Sequence, residues 1–272
     1  MPNHVMNKLQ FKGDQKRIDE ILEKIKVDDI GIGTIDFNKI IPMPECLDVE
    51  SGSRTIDAIS HYMSLIKPFG HCIWNLPEAE VKFGIKMPTI TVSEYNDLRD
   101  AILKDRSTVF FTDNLAFHQL DKDLVLAGEK YVDNFKKYKH TTWYGWCCEN
   151  WGTKWNSYGY KDDCPKFKDN TIYFKTAWNS PKPVIDKLAK MFPDVTIEHS
   201  WADEDSGNNT GRTTYTNGKR INFTIKDNTK ESYELYAKLW NEDLEKNGYR
   251  LTEDGKTYKY HEELDKRCGE IL

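Results

Sequence analysis

The residues best equipped for chemistry lie in one stretch, Trp143-Tyr144-Gly145-Trp146-Cys147-Cys148-Glu149-Asn150-Trp151-Gly152-Thr153-Lys154-Trp155. Its tryptophans, joined by Trp178 and Trp201 further along, offer flat apolar walls for a planar ring, with Asn150, Thr153 and Lys154 as polar contacts. The same indoles also serve as filling between elements if their N–H groups are paired internally. A second set runs His199-Ser200-Trp201-Ala202-Asp203-Glu204-Asp205 through to Arg212. One imidazole beside three carboxylates has the donors for a divalent cation or for acid–base work. Its glycines and asparagines read equally as a solvated connection, and the spacing is not that of a calcium loop. Thiol chemistry at Cys147 or Cys148 needs a base such as His140 or His199 brought close by the fold; otherwise both are small buried hydrophobes.

Several chemistries lack their signatures. There is no phosphate-binding glycine loop, no GxGxxG and no GxSxG, and His71-Cys72 has no matching pair for zinc. The expectation is a non-enzymatic protein with no catalytic residues, no metal and no cofactor. The 39 Lys+Arg against 44 Asp+Glu give a net charge of −5, which disfavours long nucleic acid as a partner because such binding rests on a basic footprint. A local patch at Lys130, Lys136, Lys137, Lys139 and His140 reads first as a solvated helix face. The start, Met1 to Lys8, has no apolar signal region and no run suits a bilayer, so neither leader nor membrane partner is expected. Six irregularly spaced cysteines fit a reducing, cytoplasmic setting.

The elements that must hold these groups follow from periodicity. Val5, Leu9 and Phe11 alternate with Met6, Lys8 and Gln10, a half-buried strand in which Asn7 is the one polar residue on the apolar side. Gly13-Asp14 turns the chain into a helix with Ile18, Ile21, Leu22 and Ile25 on one face. The alternation returns over 171–178. A helix introduced by Ser180-Pro181 then carries Val184, Ile185 and Leu188, and a strand holds Val195, Ile197, His199 and Trp201. Asn217-Gly218 marks a hairpin and Asp254-Gly255 a second. Between them Tyr233, Tyr236, Trp240 and Leu244 form a helical stripe with Asn247-Gly248 as its cap. Helical patterns appear over 93–103 and 113–138.

With Thr153–Tyr158 taken as a short strand, the order is strand, helix, strand, strand, helix, strand. The expected class is α+β: a ferredoxin-like antiparallel sheet with two helices on one face, a large mainly helical insertion, and an extra C-terminal helix and hairpin. The expected organisation is 1–47 for the first strand and helix, 48–140 for the insertion, 141–227 for the rest of the ferredoxin-like domain, and 228–272 for the tail. The face away from the two helices would show Lys8, Gln10, Tyr173, Lys175, Thr196 and Glu198, with only Tyr173 to stack a base, so RNA reading by the sheet is disfavoured.

Met1-Pro2-Asn3-His4-Val5, Phe37-Asn38-Lys39-Ile40-Ile41-Pro42-Met43-Pro44, Asn150-Trp151-Gly152-Thr153-Lys154-Trp155 and Phe174-Lys175-Thr176-Ala177-Trp178, followed by Pro181, Pro183-Val184 and Phe192-Pro193, resemble the YubB-like (Api-type) family. These are phage- and plasmid-borne proteins with a ferredoxin-like domain in the C-terminal half. The resemblance implies an accessory protein of a mobile element, working in the cytoplasm of a bacterial host, and a class whose members often counter host defence.

The resulting expectation is a protein that binds a small nucleotide-like ligand, stacked on indole and possessing phosphate for Lys154 and Arg212. The expected site is Trp146, Asn150, Trp151, Thr153, Lys154, Trp155, Trp178, His199, Trp201, Asp203 and Arg212. The alternatives are a protein-interaction inhibitor that meets a host factor through the insertion, and a nucleic-acid-binding accessory protein.

Overall fold

The first strand obeys period two. β1 (His4–Lys12) buries Val5, Leu9 and Phe11 on one face and sets Met6, Lys8 and Gln10 on the other. The chain, a computed structural model describing residues 2–68, 76–161 and 164–265, continues with α1 (Gln15–Ile25), α2 (Ser53–Ile66), α3 (Leu76–Phe83), α4 (Val92–Ile102), α5 (Lys122–Tyr138) and α6 (Trp143–Asn150). After these come β2 (Thr171–Ala177), α7 (Lys182–Met191), β3 (Thr196–Asp203), β4 (Gly211–Thr216), β5 (Lys219–Thr224), α8 (Lys230–Trp240), β6 (Asn247–Leu251) and β7 (Tyr258–Asp265). Residues 1–42 with 150–272 make one unit and 43–149 a second. Cys72, His71 and Cys268 lie outside the described residues.

In the first unit the antiparallel order is β2-β1-β3-β4-β5. The register places Asn7 beside Phe174 and Trp201, and Leu9 beside Ile172 and His199, so these side chains share one face. Asp14 caps α1 by accepting from the Arg17 N–H at 3.0 Å, and Ile18, Ile21, Leu22 and Ile25 are buried. α7 is tied to the same sheet face: Tyr215, opposite Ile197 in register, donates its hydroxyl to Asp186 at 2.8 Å. The opposite face is closed by α8, which packs on β1 and β3 with Tyr233, Tyr236 and Leu239, joined by Leu244 beyond the helix end, against Met6 and Ala202. Trp240 Nε1 donates to the Ala202 carbonyl at 3.1 Å, and the Lys175 ammonium lies 5.3 Å from the Trp240 ring centre. Lys8, Gln10, Tyr173, Lys175, Thr196 and Glu198 are therefore half-buried instead of open. A base-stacking surface is not available there.

Four expectations need correction. Thr153–Tyr158 is not a strand: its backbone meets β2 at the Tyr158–Lys175 bridge, with N···O distances of 3.1 and 2.7 Å, and at its other end the Thr153 hydroxyl bonds the Ala177 backbone. Between these two points the side chain of Asn156 bonds elsewhere, accepting from the Phe37 N–H at 2.9 Å and donating to Asp36 at 2.7 Å. The helix expected over 113–138 begins at Lys122, where Asp121 accepts from the Leu124 N–H at 3.0 Å and provides the cap. The tail helix stops at Trp240 because Asn241, at φ 55, takes the left-handed cap, and Asn247-Gly248 falls inside β6. α7 starts at Lys182 with Pro181, not Ser180, as its cap residue.

The 43–149 unit is helical and wider than the expected 48–140, because α6 belongs to it up to Glu149. α2 and α5 form its spine and bury Ile59, Tyr62, Met63, Val125 and Val132. At their crossing Gly128 lies so near the Ala58 carbonyl that a Cβ would come within 2.1 Å of it. Tyr95 of α4 donates to Met63 O at 3.1 Å and to Asp113 at 2.9 Å, fixing the loop before α5. Among the described residues no helix is long and apolar enough to cross a membrane.

Candidate functional site

β1, β2 and β3 bring part of the expected set to one end of the sheet. Ala177 ends β2, and the next residue, Trp178, is left-handed at φ 72, a conformation that a bulky aromatic residue rarely adopts. Two asparagines fix it there: the Trp178 N–H donates to Asn3 O and the Trp178 carbonyl accepts from Asn209 Nδ2, both at 2.9 Å. Asn209 also donates to Asp203 at 3.0 Å, and Asn3 donates to Asp203 at 3.1 Å. Asp203 thus organises the loop after β3, a task that also uses its bond from the Asp205 N–H at 3.0 Å.

Lys154 reaches this end from the segment before β2. Its ammonium lies 4.7 Å from the Trp155 ring centre and 5.2 Å from that of Trp178. Thr153 secures the segment by donating to Ala177 O at 2.8 Å and accepting from the Ala177 N–H at 3.1 Å. Gly152, at φ 77, lets the chain pass Pro183, whose Cδ would lie 2.8 Å from any Cβ. Trp155 is 38% exposed and Trp178 half-buried, so indole surface faces water here. Close by, Tyr158 and His4 share a hydrogen bond of 2.6 Å, and burial pushes the Tyr158 hydroxyl up to about 12.

Other expected residues are structural. Trp151 is 3% exposed, donates Nε1–H to Ile41 O at 2.9 Å and meets Phe37 edge-on at 5.8 Å. It is filling, with its polar atom satisfied. His199 is buried; its Nε2 is 3.0 Å from Asn7 Oδ1, and burial drives its pKa down to about 3, so the ring is neutral. Trp201 lies over His199 at 5.1 Å and against Gly211, where a Cβ would come within 2.2 Å of the indole. Arg212 pairs with Ser200 in register and lies 3.8 Å from Glu231 of α8. The strand alternation that sets His199 and Trp201 on one face sets Arg212 on the other, so Arg212 and the Trp201 indole cannot share one pocket. Trp146 is buried in the 43–149 unit, and Asn150 closes α6. Burial also pushes the neighbouring Cys147 thiol up to about 12, which removes it as a nucleophile at neutral pH. Among the described residues no His, Cys, Asp and Glu cluster has the arrangement to hold a metal ion.

The sequence reading missed Asn3 and the bridging part played by Asn209. Asn is the side chain that best tolerates a left-handed backbone, and Asn209 has φ 44, so the pair Asn208-Asn209 carried a weak signal. Asn3 lies in the Met1-Pro2-Asn3-His4-Val5 motif, but its residue type there carried no sign of the part it plays.

Residues 150–258 match the family described as the ferredoxin-like domain in Api92-like protein. This stretch is similar to the ferredoxin-like domain of Api92-like proteins. It includes Thr153, Lys154, Trp155, Trp178, Asp203 and Asn209, whereas β1, α1 and Asn3 lie before the matched residues of the Api92-like domain. No curated protein matches the chain. The solved structure of protein api92 from Yersinia pseudotuberculosis is similar at 9% identity, with 83% of this chain and 99% of that chain covered and a TM-score of 0.34.

Proposed function

We propose that the protein binds a small nucleotide-like ligand at the sheet end formed by Lys154, Trp155 and Trp178, without catalysing a reaction on it. The observation that carries this reading is Trp178: an aromatic side chain set at the surface in a left-handed conformation, held by two asparagine contacts. Such strain persists only where surrounding bonds over-determine it, and it concentrates at ligand contacts. Half-exposed indole stacks a base without regard to its identity, at about 1–3 kcal/mol per base, and the Lys154 ammonium beside it suits a phosphate. Sequestering a host signal is the role such binding would serve in an accessory protein of a mobile element.

The test is titration with cyclic and linear nucleotides, following indole fluorescence and thermal unfolding together. Binding should quench the emission and raise the unfolding temperature, adding ~2.7 kcal/mol at a hundredfold excess over Kd. Both effects should vanish in W155A and W178G. If no nucleotide quenches the wild type, or if W155A and W178G bind as well as the wild type does, the reading is wrong.

A further inference from the structure

The 43–149 unit contains an open cleft of about 490 Å³ whose lining includes Lys104, Arg106, Lys139, His140, Cys148 and Glu149. The first two follow α4, the next two follow α5, and the last two lie on α6, so three helices converge on it. At its inner wall Asp105 is wholly buried and fully occupied: it accepts from the Thr141 N–H at 2.7 Å, the Thr141 hydroxyl at 2.8 Å and the Ser107 N–H at 3.3 Å, with His140 Nδ1 also at 3.3 Å. Burial alone would raise the carboxyl, but these bonds outweigh it and hold Asp105 below the usual carboxylate range. Gly145 makes the arrangement possible, since a Cβ there would lie 2.2 Å from Asp105 Oδ1 and 2.8 Å from His140 Nδ1.

The other ring nitrogen faces outward. His140 Nε2 lies 2.8 Å from the Glu149 carboxylate, whose side chain is 72% exposed against 10% for His140 and none for Asp105. The inner carboxylate is therefore fixed by its partners, while the outer one sits at the mouth of the cleft on a side chain that solvent reaches. Burial pulls the His140 pKa down, but the two carboxylates more than compensate and raise it. Glu149 places an anionic oxygen at a nitrogen donor beside two lysines and an arginine. A ligand oxyanion is likewise negative and offers the same hydrogen-bonding oxygen, and the guanidinium fork of Arg106 matches two oxygens of a phosphate group.

We propose that this cleft binds a small phosphate-type oxyanion, which replaces the Glu149 carboxylate at His140 Nε2 and is held by Lys104, Arg106 and Lys139. The site belongs to the helical unit and does not depend on the nucleotide reading above, which concerns other residues.

Inorganic phosphate is the probe, with chloride at matched ionic strength as the control. Two signals report on the cleft: the ring resonances of His140, assigned by comparison with H140Q, and the rate at which Cys148 is alkylated, followed by peptide mass mapping. Saturable phosphate binding should shift the first and slow the second. Lys104, Arg106 and Lys139 are exposed, so K104A/R106A and K139A should fold normally while weakening phosphate by tenfold or more for the double variant. Removing the competing carboxylate in E149A should tighten phosphate several-fold. W155A should leave all of this unchanged, so the two sites fail or succeed separately. If the three cations merely offset the carbonyl ends of α4 and α5, phosphate will alter neither signal beyond the chloride control. That result would overturn the proposal, as would an E149A protein that binds more weakly than the wild type does.

Discussion

Asn7 is a polar residue on the apolar side of β1, and its environment explains it. Its Nδ2 donates to Val5 O at 3.0 Å and Thr176 Oγ1 at 2.9 Å, while its Oδ1 faces His199 Nε2. Every polar atom of this side chain has a partner, which is what a buried amide requires. The neutral His199 that completes the network has a consequence for acid stability. The unfolded chain takes up a proton at this residue near pH 6.5, whereas folded His199 stays neutral down to about pH 3. Stability therefore falls as pH drops from about 6.5 toward 3, with a limiting slope of ~1.4 kcal/mol per pH unit from this group. His140 works in the opposite sense, since its raised pKa contributes stability below pH 6.5 that is lost as pH rises through its folded value. Comparison by variant separates them: in H199Q, whose amide can still donate to Asn7, urea midpoints at pH 5 and pH 7 should lie closer together than in the wild type. An unchanged pH dependence would show that His199 carries a proton in the fold. Trp178 makes a second residue-scale prediction. Glycine tolerates φ 72 without strain, so W178G should recover about 1 kcal/mol of backbone energy. That gain offsets part of the lost indole packing, and global stability measured by urea denaturation should change little while nucleotide quenching is lost.

At the scale of elements, two contacts decide the outcome. α5 crosses α2 at Gly128, where helix propensity alone favours alanine by about 1 kcal/mol. The Ala58 carbonyl is backbone and cannot step aside, so G128A should instead destabilise the helical unit by ~1–3 kcal/mol, read as a lower urea midpoint. A stabilised G128A protein would mean that the helices separate easily there. α8 depends on its apolar stripe for the far face of the sheet, and Leu239 is 2% exposed within it. L239A should cost ~2–5 kcal/mol. It should also increase the protection rate loss of the β1 and β3 amides in hydrogen exchange, whereas a surface-bound α8 would leave those amides unchanged. The hairpin of β4 and β5 needed no such tertiary support to be legible: Asn217 at φ 52 and Gly218 at φ 68 are both left-handed, as a two-residue turn requires.

At the scale of the whole molecule, each unit has its own apolar core, one around β1–β3 and one around α2 and α5. A unit with its own core is able to fold alone, and chains of more than one such unit depart from two-state unfolding. Calorimetry should resolve two transitions, of which G128A lowers one and H199Q, at acid pH, affects the other. A single transition moved by both variants would show one cooperative block. The sequence alone determined the strand faces, both long ferredoxin-like helices, the hairpin turns and the tail helix, because periodicity and turn chemistry are local and each residue states its own side. It also contained the composition that disfavours a charge-driven nucleic-acid interface. Tertiary structure decided which of the tryptophans are filling, since the pairing of Trp151 Nε1 with Ile41 O depends on residues 110 positions apart. It decided that Arg212 and Trp201 face opposite ways, and that Thr153–Tyr158 meets β2 at one backbone bridge and one threonine hydroxyl instead of pairing along it as a strand. It also brought Asp105, His140 and Glu149 together from three helix ends. Contacts between positions distant in sequence leave no periodic trace, so burial, pKa and the meeting of side chains become visible only once the chain is folded.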